Sequence, residues 1–212
     1  MKADNNGSKN IILSIREVEP GLVKASAMVG NKLSRKLEGI VVLSSDFIAN
    51  DKAQNDESGF FKKLIVDFDN PSDIQEKLSP YINKILAVNC RFETAIQNYI
   101  KIIAFLSSVP TPSVDSLKWS TEKKLMRDKL RDYDDSIVPK YQYLERLPEK
   151  DALKRTINKM QFPLIVKPNG LYSSMLVSKC LDFESLYSVL EKTFDVINNI
   201  YSKERGTGMP SL

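Results

Sequence analysis

Four short runs of β-branched and aliphatic residues, over 10–15, 39–43, 63–68 and 85–88, punctuate the first half of the chain. Each has the length of a strand, and the stretches between them carry apolar residues at helical spacing. One helix is predicted over 22–37, weakened by Gly30, and another starts at Pro71, where a first helical position tolerates proline. Pro80 is expected to kink or divide that second helix. The clearest series is Phe92, Ala95, Ile96, Tyr99, Ile100, Ile103 and Ala104, one face of an amphipathic helix. Strands that alternate with covering helices predict a Rossmann-like, mostly parallel sheet in an α/β domain.

A Ser/Pro-rich stretch over 107–116, with Pro110 and Pro112, interrupts this order. It sets the expected domain boundary, giving a first domain over 1–112 and a second over 113–212. Beyond it the pattern predicts a helix over 117–130, a strand over 140–144 and a helix over 149–160. Two strands follow over 164–167 and 175–179, and a helix over 183–200. A short Asn-Gly-containing connection between the two strands implies an antiparallel hairpin in an α+β unit. Residues 50–59 read as a polar, mobile loop, and 203–212 as a loop containing Gly206 and Gly208.

The chain has 212 residues and no histidine. That removes Ser-His-Asp and Cys-His nucleophile activation and every His-ligated metal site. Chemistry must then use lysine, arginine, carboxylates, backbone amides or a bound ion. The 31 basic and 27 acidic residues are interspersed, which argues against a nucleic-acid stripe. Cys90 and Cys180 are isolated in sequence and read as free thiols. No apolar run reaches the length of a signal-peptide core or a bilayer span, so the expectation is a cytoplasmic protein with no membrane or nucleic-acid partner.

Two segments can carry chemistry. In Phe162-Pro163-Leu164-Ile165-Val166-Lys167-Pro168-Asn169-Gly170 a lysine closes an apolar strand, placed to meet an anion as a point charge. The turn beyond it, with Gly170, Ser173 and Ser174, leaves backbone N–H groups and hydroxyls free to cradle phosphate oxygens. The bland alternative is a strand end with its lysine in solvent. On the helix over 117–130, Lys123 and Arg127 share a face, a like-charge pairing that a polyphosphate would convert from repulsion to attraction; the alternative is a solvated helix face. Asp67 and Asp69 point to one side of a strand end, as metal ligands or, more simply, with Asp69 or Asn70 capping the next helix. Trp119 is a base-stacking candidate or a packing anchor.

Taken together, Thr121-Glu122-Lys123-Lys124-Leu125-Met126-Arg127, then Val138-Pro139, then 162–168 with Ser173-Ser174 resemble the ATP-grasp superfamily. The resemblance covers 116–212, while the first domain is similar to the family's lead domain only in pattern. It implies an α+β ATP-grasp subdomain with an antiparallel sheet after the Rossmann-like domain. It also implies ATP and magnesium as cofactors, with Lys123, Lys167, Asn169, Gly170, Ser173 and Ser174 on the nucleotide. Glu122 stands where the family often has aspartate. The family's adenine-bordering acidic strand and magnesium ligands have no match before Leu212, so the metal ligands are expected beyond it.

The implied activity is ATP-dependent ligation of a small-molecule carboxylate to an amine or thiol through an acyl phosphate. The segment given is expected to be inactive alone and to bind ATP weakly. A homo-oligomer is compatible with this reading. The alternative is a non-catalytic Rossmann-like binding or protein-interaction module.

Overall fold

The computed structural model describes residues 9–17, 20–46, 61–171 and 173–203. They form two compact units that part between Val114 and Asp115.

In the first unit, β1 (Ile11–Ile15), β2 (Glu38–Ser44), β3 (Phe61–Val66) and β4 (Ile85–Asn89) make one all-parallel sheet in the order β3, β2, β1, β4. Helices α1 (Pro20–Lys32), α2 (Pro71–Leu78) and α3 (Ile96–Ile103) supply crossovers and cover. β1 is buried at every residue, Ser14 included. A parallel strand shielded on both faces reads as a continuous apolar run, which is why Ile11-Ile12-Leu13 was legible. β3, at the end of the described sheet, exposes Lys62 and Lys63 between the buried Phe61 and Val66. Charge on such a strand discourages further pairing.

Local signals decide where the helices end. The Asn70 side chain accepts from the N–H groups of Ser72 and Asp73 at 3.1 and 3.4 Å and caps α2, with Pro71 as its first residue. α2 stops at Leu78, just before Pro80, and a 3-10 turn over Ile82–Lys84 leads into β4. Tyr81 and Ile82 therefore lie outside the helix they seemed to extend. Asp67 and Asp69 serve this corner. The Asp69 N–H donates to Asp67 at 2.9 Å, and Lys101 pairs with Asp69 at 3.0 Å. On α3 the buried stripe runs through Asn98, Tyr99, Ile102 and Ile103, after a 3-10 turn at Glu93–Ala95.

The second unit holds α4 (Val114–Thr121), α5 (Lys123–Tyr133), α6 (Lys150–Thr156), β5 (Leu164–Val166), β6 (Ser178–Cys180) and α7 (Phe183–Lys203). β5 and β6 pair antiparallel, Ile165 opposite Lys179. Leu153, Ile157, Cys180, Leu186 and Leu190 form the core, with Leu164 and Val166 packed against it. α7 starts on a reciprocal cap: the Ser185 N–H donates to Asp182 at 2.8 Å, and the Ser185 hydroxyl accepts from the Asp182 N–H at 3.1 Å.

Three expectations are corrected here. The helix over 117–130 is two helices, because Glu122 adopts an extended conformation (φ −102°, ψ 103°) between them. Residues 140–144 run without secondary structure and pair with no strand among the described residues; side-chain contacts hold them instead. The second hairpin strand begins at Ser178 rather than 175, because Ser173, Ser174 and Leu176 take positive φ values of 50°, 57° and 56°. The loop expected over 50–59 lies outside the described residues, as does that expected over 203–212 apart from Lys203, which ends α7.

One glycine is required by packing. Gly39 on β2 sits opposite Phe61 on β3, and a Cβ there would lie 2.5 Å from the Phe61 ring, itself buried. Gly39→Ala should therefore lower stability by about 1–3 kcal/mol, as overpacking does, read by chemical denaturation. Shortening the ring with Phe61→Leu should recover part of the loss, and additive losses from the two changes would rule the contact out as the cause.

Candidate functional site

The alternation of β5 sorts its side chains. Leu164 and Val166 turn toward the core of the second unit, whereas Ile165, 51% exposed, lies on the other face with Lys167 two residues on. Lys167 is exposed and makes no ion pair or hydrogen bond among the described residues.

A cavity of about 990 Å³ opens beside this strand. Residues 139–145, Gln161 and 163–170 line it, with α6 and α7 contributing Leu153, Leu186 and Phe194. Its cationic lining includes Lys167 and Arg127. The Arg127 guanidinium lies 5.1 Å from the centroid of the Tyr141 ring, and Arg131 lies 4.6 Å from the same ring. The Tyr141 hydroxyl donates to Asp128, which Lys124 also binds at 2.7 Å. The Lys124 ammonium, then the Tyr141 hydroxyl, hold the Asp128 carboxyl below the usual carboxylate range, and that carboxylate raises Lys124 in return. Lys124 is thus neutralised, while Arg127 has no acidic partner among the described residues.

The loop after β5 is laced to the start of α5. Glu122 makes no cap with its own side chain. Instead, the Asn169 side chain accepts from the Lys124 N–H at 2.9 Å and so caps the helix from 45 residues away. The Lys123 ammonium donates to the carbonyls of Leu171 and Asn169 at 2.8 and 3.2 Å. Lys167, Asn169 and Gly170 therefore line the cavity, and Lys123 braces the loop from outside its lining. Ser173 and Ser174 are exposed and do not line it. Their left-handed backbone is strained for non-glycine residues, a state that surrounding structure must maintain.

Sequence reasoning placed Lys167 and paired Arg127 with Lys123, but did not single out Ile165 or Tyr141. The Ile165-x-Lys167 alternation was a usable signal for the first. Nothing local announces Tyr141, whose neighbours are reached through side chains alone. Burial pushes the Cys90 thiol up to about 11 and raises Cys180 as well, so neither supplies a thiolate at neutral pH. Among the described residues no group of three or more Cys, Asp or Glu is placed to hold a metal ion.

No protein-family model matches the chain, and no curated protein matches it. Solved structures do. Biotin carboxylase from Campylobacter jejuni, in complex with β,γ-ATP, superposes with a TM-score of 0.51 at 15% identity over 96% of this chain. The biotin carboxylase domain of Hydrogenobacter thermophilus 2-oxoglutarate carboxylase, with MgADP, ADP and bicarbonate, gives 0.54 at 10% identity over 93%. The chain shares the fold of the parts of these proteins that it covers; in it a parallel four-stranded sheet is followed by a separate antiparallel pair of strands. It spans 45% and 42% of their lengths.

The trans cap is open to a direct check. Asn169→Ala should cost roughly 1 kcal/mol of stability, the usual value of a helix cap, and should speed hydrogen exchange at the Lys124 amide. Unchanged exchange at Lys124 would show that the cap carries no weight.

Proposed function

We propose that the chain is the ATP-binding portion of an ATP-dependent carboxylate ligase. In this reading 1–112 is a Rossmann-like lead domain and 113–212 the first part of an ATP-grasp domain. The observation that carries it is the joint position of Lys167 and Arg127 on one cavity beside the exposed face of Ile165. The volume is within the range of about 300–1,000 Å³ usual for small-molecule sites.

The residues present fit a nucleotide. Ile165 offers an apolar surface to the base. Lys167, which makes no ion pair among the described residues, neutralises phosphate as a point charge, and the Arg127 fork can engage phosphate oxygens in pairs; Glu122 and Glu145 also line the cavity. Asn169 and Gly170 bring the loop to the same cavity, and Lys123 acts by holding that loop rather than by contact. Ser173 and Ser174 stand on the loop's exposed arm, where closure over the phosphates would bring their hydroxyls in.

ATP would supply the γ-phosphoryl group that turns a small-molecule carboxylate into an acyl phosphate, with ADP as leaving group; an amine or thiol would then attack the acyl carbon and release phosphate. Fixed cations around the phosphates favour the charge that develops during that transfer. The described residues hold no acidic cluster that would fit magnesium, and none of them is assigned to that ion. No helix among the described residues is long and apolar enough to cross a membrane. A cytoplasmic enzyme, acting on a small molecule and able to form a homo-oligomer, accords with this reading.

Calorimetry of ATP binding tests the site. Lys167→Ala and Arg127→Ala should each weaken binding about tenfold or more, the usual loss for a hydrogen bond to a charged group. Lys192→Ala, an exposed change on α7 outside the cavity lining, should have no effect. Equal effects from Lys167→Ala and Lys192→Ala, or no ATP binding at all, would remove the nucleotide reading and favour an interaction module.

A further inference from the structure

Helix α5 has an apolar face and no interior to put it in. Met126, Leu130 and Tyr133 recur at the spacing of one helix face and are 38%, 38% and 86% exposed. None of the eleven residues of the helix is buried. A helix of that length is marginal in water by propensity alone, and helices in proteins draw most of their stability from packing such a face. Trp119 on α4, also exposed, adjoins the stripe, because the Lys129 ammonium lies 5.2 Å from the centroid of its ring. Met126, Leu130 and Tyr133 do not line the cavity of the candidate site, so this surface is separate from it.

The charges beside the stripe identify what covers it. Two ion pairs are internal to this segment, Lys124 with Asp128 at 2.7 Å and Arg131 with Asp135 at 3.4 Å. Lys129 and Asp132 make no ion pair among the described residues, and both are exposed. Asp132 stands in the last turn, where the helix dipole disfavours a carboxylate and an external cation would relieve it. Three residues apart, the two lie on the same side of the stripe, whereas Lys123 and Arg127 lie on the other side. When two copies of a helix pair antiparallel about a two-fold axis, like sides meet, so each Lys129 faces the Asp132 of the other copy. A parallel copy would instead set Lys129 against the side that carries Lys123 and Arg127. The face of one short helix covers less than the roughly 800 Å² per partner of a standard interface, so the association is weak.

We propose that two copies of the chain associate through antiparallel α5 helices, with Met126, Leu130 and Tyr133 at the centre and Lys129 of each copy paired with Asp132 of the other. This gives the homo-oligomer an interface without resting on the nucleotide reading, and its test uses no nucleotide, so either can fail alone. Sedimentation velocity of the 212-residue chain should show a reversible monomer–dimer equilibrium with a dissociation constant that is micromolar or weaker. The emission of Trp119, the single tryptophan, should move to shorter wavelength over the same concentrations. Leu130→Glu should weaken the dimer about tenfold or more, the value of burying a leucine, and, being exposed in the single copy, should leave the unfolding midpoint of the monomer unchanged. Lys129→Glu and Asp132→Lys should each weaken it about fivefold or more by setting like charges together, and the double variant should restore most of the loss. Lys192→Glu on exposed α7 should change nothing. A chain that stays monomeric up to about 1 mM, a dimer indifferent to Leu130→Glu, or a double reversal no better than the single ones would overturn the proposal.

Discussion

The second unit depends on a helix start that cannot cap itself. α5 begins after an extended Glu122 whose side chain makes no cap, and the missing acceptor comes from Asn169 on the loop beyond β5. The Lys123 ammonium closes the same joint from the other side by binding two carbonyls of that loop. These contacts tie two distant stretches of chain into one corner. Lys167 stands just before it on the strand, and Arg127 one turn beyond it on the helix. Their common cavity is a consequence of that corner as much as of either residue's own position. The Lys123 ammonium, for which the resemblance implies a nucleotide contact, is half-buried and has two carbonyl acceptors on that loop.

The first unit achieves its order by a different route. Its sheet is held by long parallel ladders whose central strand is wholly apolar apart from Ser14. Each turn is fixed by local chemistry, such as the Asn70 cap before α2, or Gly30, where the chain folds back so closely that a Cβ would lie 2.8 Å from the Arg35 carbonyl. Such a sheet is rigid where it is deep, and varies at its carboxyl edge.

This difference explains what could be read in advance. β1 and β2 were visible because strands buried on both faces must be continuously apolar, and the caps of α2 lie next to the helix they serve. The break at Glu122 was invisible because its cause lies on another element, and the pattern over 117–130 is helical on both sides of it. Residues 140–144 have the composition of a strand, yet no ladder claims them, so propensity had nothing to act upon. At the candidate site Lys167 was legible from its place after an apolar run. The carbonyl contacts of Lys123 required the fold, since spacing cannot show which acceptors an ammonium meets.

Tyr141 has a wider reach than its exposure suggests. One ring lies within contact of two guanidiniums, and its hydroxyl engages the carboxylate that neutralises Lys124. Loss of the ring would take one contact from each of Arg127, Arg131 and Asp128, though Asp128 would keep Lys124 and Arg131 would keep Asp135. The cost of a change at any one of these positions therefore depends on which residues stand at the others.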